Sequence, residues 1–576
     1  MFKKLLFFSF IFINFSLKAT SYYVDDATAN DANDLYSTGA TIGNNANNGL
    51  TTSTPKLTLA NLWATYGPSG TNVIVAGDVI YVDAGTYTSA SAVSGTCNCG
   101  FTINIAITIQ GAGATKTIFD NNYVGIAGSY YFANLTASVT IKDLQLKKYA
   151  SNQNGQAIQI SGTGSPGVTL TNVLLNSNGG SSRYASIYVG SNSTVNINGG
   201  GQQCNGDASH NASGGIDVVG TSIVLNITSV VFANNYKSSS AAVGHGAALS
   251  ITGANSTTDV TLTNCLFSGN QTDNDAANGG AIYATTGDLI LTDCIIENSD
   301  TYENSVKYGG AAYFTGGTQL FTRVLVRNNT NSGGSTYGTV SVNGGALTLT
   351  NCYFSGNTSD RGKDIYCKSG SITATNTTFG SAVNQTATYG GTITLTNCGT
   401  STNQYSSGTY TNNGGAAPAF TTPTTPSFSG VCGSIVSLPV DLLTFSAEKQ
   451  LDNSVNLEWI TLTEINNNFF TIKKSLDGTE WTEIARENGS GTSHAQINYS
   501  IHDRSEMAEI VYYQLSQVDF DGKKVVFDPI SIRFKMEKGQ FHYVNMMGQI
   551  VNVENGQAGI YLQVFENGEV TKVLNY

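Results

Sequence analysis

The sequence predicts an all-β chain: a long parallel β-helix, then a β-sandwich, then a small C-terminal β module. Three observations predict it. A strand motif recurs at about 28-residue intervals through the first three-quarters of the chain. Within each unit apolar and polar residues alternate with period 2, and the units show no helical periodicity. Charge then rises abruptly near residue 437: 36 charged residues fall in 1–437, about 8%, and the other 30 in the last 139, about 22%.

Composition narrows the class. Of 576 residues, 39 are acidic and 27 basic, so charged residues make up 11% of the chain, against about 25% in an ordinary soluble domain. Hydrophobic residues at 40% supply ample material for a core and argue against disorder. A formal net charge of −12 argues against a nucleic-acid partner, which needs a basic footprint.

Residues 1–20 have the pattern of an export signal. Lys3 and Lys4 precede the apolar run Leu5–Phe15, too short to span a bilayer, with cleavage expected near 19–21. No later run of about 18 apolar residues follows, so no transmembrane helix is expected.

The repeat occupies 21–415. Its members include VTIKDLQL (139–146), VTLTNVLL (168–175), VTLTNCLF (260–267), LILTDCII (289–296) and LTLTNCYF (347–354). Val260 and Leu262 alternate with Thr261 and Thr263, which makes a strand with one buried face. The next apolar residue is Cys265, a step of three, so the chain must bend at Asn264. Equivalent bends fall at Asp143, Asn172, Gly199, Ser229, Asp293, Arg323, Asn351, Asn376 and Asn397, and Asn tolerates the left-handed backbone such a bend needs. A second strand marked by glycine lies about thirteen residues before most later bends, as in GGAIY (279–283), GGAAY (309–313) and YGTVS (337–341). Stacking the units places Leu144, Val173, Val230, Cys265, Cys294, Val324, Cys352 and Cys398 in one inward column. The outward positions carry Thr, Asn, Ile and Leu and no acid. TPKLTLANLWATY (54–66) is a candidate covering helix at the open N-terminal end.

YYVDD (22–26), GDVIYVDAGTY (77–87) and the TPKLTL stretch together resemble the start of the pectate-lyase-like right-handed parallel β-helix superfamily. NGGAIY (278–283), CLFSGN (265–270) and CYFSGN (352–357) resemble the repeats of polymorphic outer-membrane proteins and related adhesins. The resemblance covers about 400 residues and implies a fold rather than an activity, because the scaffold carries lyases, hydrolases, adhesins and stalks alike.

Residues 416–437, with Pro418, Pro423 and Pro426 among Thr and Gly, read as a linker. From 438 to 534, short alternating strands separated by turns at Asp477-Gly478 and Asp521-Gly522 predict a sandwich with Trp459 and Tyr513 in its core. This stretch resembles a fibronectin-type-III-like module. The remainder, 535–576, resembles a type IX secretion sorting domain, in which Gly548, Gly559, Ile560, Tyr561 and Lys572 occupy the matching places. The family's opening strand with an Asn-Pro element is missing from this stretch.

The chemistry-bearing residues are few. Asp293 and Arg323, and Glu297 and Arg327, stand one repeat apart and are expected to pair across turns. Asp273, Asp275, Asp300 and Glu303 form a loop acid cluster that could take calcium or a basic partner, or serve an enzyme. His210 and His245 lack a nearby nucleophile, and the cysteines lack zinc spacing, so no catalytic group, cofactor or metal ligand is assigned. The four column cysteines are expected to be buried thiols. The expected function is that of an exported, surface-displayed adhesin binding glycan or another surface, delivered by the secretion machinery. A polysaccharide lyase or glycosidase with loop-borne acids, and a passive surface spacer, are the alternatives.

Overall fold

The structure is a computed structural model. It describes residues 19–575 except 28–33, 38–41, 69, 72, 90–97, 124–130, 151–156, 162–164, 180–184, 207–213, 238–244, 254–256, 274–277, 303–305, 333–334, 381–383, 400–402, 407, 418, 424, 427–440, 451, 453, 494–496, 506–507, 520–523, 528, 535–540, 553–558 and 566–569. Residues 1–18 of the export signal and part of the linker lie outside these residues. The chain divides into two units, 1–439 and 440–576.

The first unit is a parallel β-solenoid. Three ladders of parallel strands run through it. The first begins at Ser21–Val24 and Val79–Val82 and continues rung by rung through Thr258–Thr263, Asp288–Thr292 and Thr318–Thr322 to Thr409–Asn412. The second holds strands such as Val231–Ala233, Leu266–Ser268 and Ile295–Glu297. The third holds Ile187–Val189, Ile216–Val218, Leu249–Ile251, Ile282–Ala284 and Ala312–Phe314.

Every bend expected from the repeat has the left-handed backbone. Asp143, Asn172, Ser229, Asn264, Asp293, Arg323, Asn351, Asn376 and Asn397 all have φ between 51° and 60°, and Gly199 has φ 63°. Few non-glycine residues adopt this conformation, so its recurrence once per turn is imposed by the geometry of the corner. The inward column is buried from Leu144 to Cys398. Gly200 takes the column's place in its turn, and a Cβ there would stand 2.2 Å from the Val173 carbonyl oxygen. Cys265, Cys294, Cys352 and Cys398 are free thiols, whereas Cys99 and Cys204 are disulfide-bonded.

At the N-terminal end Leu59–Tyr66 forms a helix, with Thr58 Oγ1 accepting the Asn61 N–H at its start. Leu59, Leu62 and Trp63 turn inward, and Trp63 meets Phe101 edge-on at 6.2 Å. This buries apolar groups over what would otherwise be an open core.

A feature the repeat analysis missed runs beside the second ladder. Asn178, Asn205, Asn235 and Asn270 are fully buried and stacked on successive turns. Asn178, Asn205 and Asn235 each donate Nδ2 to the next Oδ1 (2.9–3.1 Å) and to a carbonyl of the preceding turn. Ser299 interrupts the row, and Asn329 and Asn357 resume it. The Phe-x-x-Asn spacing in CLFSGN and CYFSGN was its signal.

The second unit contains two antiparallel sheets that share the long strand Val455–Ser475. Val455, Leu457 and Trp459 from one end of that strand pack with Phe470, Ile472, Val511, Tyr513 and Leu515. Trp459 and Tyr513 are therefore core residues, as expected. A separate four-stranded antiparallel sheet comprises Phe541–Val544, Ile550–Val551, Gly559–Phe565 and Val570–Asn575.

Within the expected linker, Phe420 stacks on Tyr353 at 5.3 Å, beside Arg323, Asn351 and Asn376.

Candidate functional site

The most distinctive surface chemistry lies on the outer side of the third ladder. Because inward and outward residues alternate, Tyr283, Tyr313, Ser341 and Tyr366 follow one another in register on the outer face. An adjoining pair of strands, Val306–Tyr308 and Ser335–Tyr337, brings Tyr308 over Tyr337. The turns entering the third ladder need glycine at Gly279 and Gly309, both with φ 71°, where a Cβ would meet a carbonyl oxygen at 2.2 and 2.1 Å.

The rings form a continuous strip. His245 stacks on Tyr283 at 4.2 Å, Tyr283 meets Tyr313 at 5.9 Å, and Tyr313 stacks on Tyr308 at 5.2 Å. Tyr308 stacks on Tyr337 at 5.1 Å, and Tyr337 meets Tyr366 at 4.9 Å. Lys368 sits over the Tyr308 ring and donates to its hydroxyl at 3.3 Å; Arg361 sits over Tyr337 and donates to its hydroxyl at 2.8 Å. Asn343 Nδ2 donates to the Tyr313 hydroxyl. Tyr283, Tyr313 and Tyr366 form the buried base of the strip, Tyr308 and Tyr337 are partly buried, and Tyr389, beside Tyr366, is 55% exposed.

The electrostatics keep Tyr313, Tyr366 and His245 neutral. Burial, with the neighbouring Tyr308 and Tyr283, pushes Tyr313 up to about 12. Burial, then Tyr308 and Tyr337, pushes Tyr366 higher still. Burial foremost, and then the charges of Lys237 and Lys307, lower His245 to about 4. Its Nδ1 accepts the Asn278 N–H at 3.0 Å, which also requires an unprotonated nitrogen. Lys237 is itself buried, and its Nζ meets Asp217 Oδ1 at 2.6 Å.

The ring faces are taken up by one another and by the two cations, so the strip presents ring edges, phenol hydroxyls and the side chains of Arg361 and Lys368. Sequence reading missed this strip, although Tyr308 and Tyr337 are 29 residues apart, close to the repeat period.

The expected loop acids are only partly assembled. Asp300 stacks on Gln271 and Asp273 on Tyr302, so the acids of these two turns are offset by two residues. Asp300 Oδ1 is buried without a hydrogen bond, and burial raises its carboxyl. Asp275 and Glu303 lie outside the described residues, as does His210. The cross-turn ion pairs form as expected: Arg323 holds Asp293 through two 2.6 Å contacts, and Arg327 holds Glu297 at 2.7 Å.

In the C-terminal sheet Gly548, with φ 80°, turns the chain between its first two strands. Gly559, Ile560 and Tyr561 open the third strand, and Lys572 lies opposite Leu562 on the fourth. No family model, curated protein or solved structure matches the chain.

Proposed function

We propose that this is an exported cell-surface protein whose solenoid adheres to polysaccharide through the tyrosine strip. The observation that carries the reading is the unbroken ring contact from His245 to Tyr366 under Arg361 and Lys368. One such contact is weak. Several sugar rings held at once along stacked turns add avidity without any single deep pocket. The outward threonine row Thr228, Thr263, Thr292, Thr322, Thr350, Thr375 and Thr396, in register on the first ladder, extends the polar contact surface.

Delivery by type IX secretion rests on the resemblance of 535–576. The exposed Met546, Met547, Ile550, Ile560 and Val570 support it, as apolar side chains available to a partner. On this reading the finer kinship of the solenoid is with adhesins on the pectate-lyase-like right-handed β-helix, and residues 438–534 act as a fibronectin-type-III-like spacer.

The test is binding of the full chain to a panel of neutral and uronate-bearing polysaccharides. The pair Tyr308→Ala and Tyr337→Ala should weaken binding at least tenfold. Undiminished binding in that variant, or none to any member, would overturn the adhesion reading, and turnover of a polysaccharide would replace it with the enzymatic one. Removal of 541–576 should keep the chain from the surface; normal surface arrival would reject the sorting assignment.

A further inference from the structure

The Tyr-Val-Asp sequence occurs twice, at 23–25 and 81–83. The two strands it ends are consecutive rungs: Tyr23 pairs with Tyr81 and Val24 with Val82. Their aspartates, Asp25 and Asp83, therefore leave neighbouring rungs at the same corner, about 4.8 Å apart along the ladder. Both are fully buried. Stacked like charges repel, and burial deepens the cost.

A loop adds a third acid rather than a counter-charge. Asp83 accepts the backbone N–H groups of Leu35, Tyr36 and Ser37 on its two oxygens. That clamp draws the half-buried Asp34 over the pair. One carboxylate oxygen from each of Asp25, Asp34 and Asp83 lies within 4.8 Å of the others. Two oxygens bound to one calcium ion at 2.3–2.6 Å can be at most about 5 Å apart, so the three lie within reach of a common ion. Asp25 supplies an independent sign. Its Oδ1 accepts the Asp26 N–H at 2.8 Å and Ser37 also bonds to the carboxyl, but Oδ2, wholly buried, has no partner within hydrogen-bond geometry. The buried Lys56, whose backbone carbonyl accepts the Asp25 N–H, gives its Nζ to the Asn45 carbonyl instead.

We propose that Asp25, Asp34 and Asp83 bind one divalent cation of the calcium type, which fastens the 34–37 loop onto the first rungs of the solenoid. Three carboxylates, with no nitrogen or sulfur donor grouped with them among the described residues, make a hard-oxygen site. It is remote in sequence from the loop acids Asp273, Asp275, Asp300 and Glu303, and does not depend on the glycan reading. In function it would protect the end of the solenoid, since a cation that binds only the folded turn stabilises that turn by mass action.

The full chain, stripped with EDTA, is titrated with terbium, whose emission Tyr36 and Tyr87 beside the cluster would sensitise. Saturable emission from one site, displaced by calcium, is expected, with affinity at least tenfold lower in Asp34→Asn and in Asp25→Asn. Thermal melts separate ligand loss from misfolding. Calcium should raise the melting temperature of the parent chain and leave that of Asp34→Asn unchanged, while both melt alike in EDTA. Absence of saturable binding at millimolar calcium, or equal affinity in both variants, would overturn the proposal.

Discussion

Replacing Asn235 by Ala should loosen the turns around it far more than its size suggests. The Asn235 Oδ1 accepts the Asn205 backbone N–H at 3.3 Å and Asn205 Nδ2 at 3.0 Å. Its Nδ2 donates to Asn270 Oδ1 at 2.9 Å and to the Gln202 carbonyl at 2.8 Å. Two of the four partners keep another bond: Asn205 Nδ2 reaches the Leu175 carbonyl, and Asn270 Oδ1 still receives the Asn235 N–H. The Asn205 N–H loses the Asn235 Oδ1 as its acceptor and is left buried, at about 1–3 kcal/mol; the other losses bring the total to about 3–5 kcal/mol. Each turn contacts chiefly its neighbours, so the loss stays local. Native-state hydrogen exchange over 201–206 should therefore speed up by at least about a hundredfold, since 1.4 kcal/mol is a factor of ten. Asn226→Ala, which removes only the part-exposed bond to Asn196 on the outer face, should change exchange by less than fivefold. An equally small change in Asn235→Ala would show that the buried ladder is not what holds these turns in register.

Acid should weaken the solenoid through His245. Its folded-state value, about 4, lies below the ordinary 6.5, so the stability that its neutral form contributes is complete above pH 6.5. That stability is lost as pH falls towards 4, by up to about 3 kcal/mol at 1.36 kcal/mol per unit. Denaturant titrations between pH 7.5 and 4.5 should show this slope, reduced in His245→Gln; an identical slope in the variant would assign it to other groups. Arg323→Ala breaks a well-formed pair with Asp293, yet Arg323 is nearly half exposed, so it should cost less than about 1 kcal/mol, and 0.5 M salt should erase most of the difference.

The parts of the fold that could be read in the sequence are those written once per turn at nearly constant spacing. Asn264, Asp293 and Arg323 declare the corner because the apolar alternation slips by one residue there. Asp293 and Glu297 meet Arg323 and Arg327 because each pair is one period apart in register, the first at the corner and the second on the second ladder. The tyrosine strip was harder to see because it joins two elements. Tyr283 and Tyr313 lie on the third ladder and Tyr308 and Tyr337 on a short strand pair before it, so their contact depends on turns whose length varies between repeats. The aspartate cluster hid for a different reason. Asp25 and Asp83 belong to opening rungs separated by the helical cap, a gap of 58 residues rather than 28, and Asp34 reaches them only through hydrogen bonds to Asp83. Nothing in periodicity reports such a clamp.

One property of parallel stacking links these observations. A residue repeated in register lies about 4.8 Å from its copy. Aliphatic groups, thiols, amides, hydroxyls and aromatic rings all profit from that proximity: Phe232 on Phe267 at 4.7 Å, the asparagine ladder and the tyrosine strip are examples. A carboxylate does not, unless water or an opposite charge stands beside it. The low charge density of residues 1–437 follows from this, and so do its exceptions. Asp259 and Asp288 are in register but exposed, where water screens them. Asp293 and Glu297 have an arginine on the next turn. Asp25 over Asp83 has neither exposure nor a basic residue in register, and a loop delivers Asp34 to the same point. In a fold that otherwise avoids stacked charge, a buried exception of this kind fits the cation proposed for it.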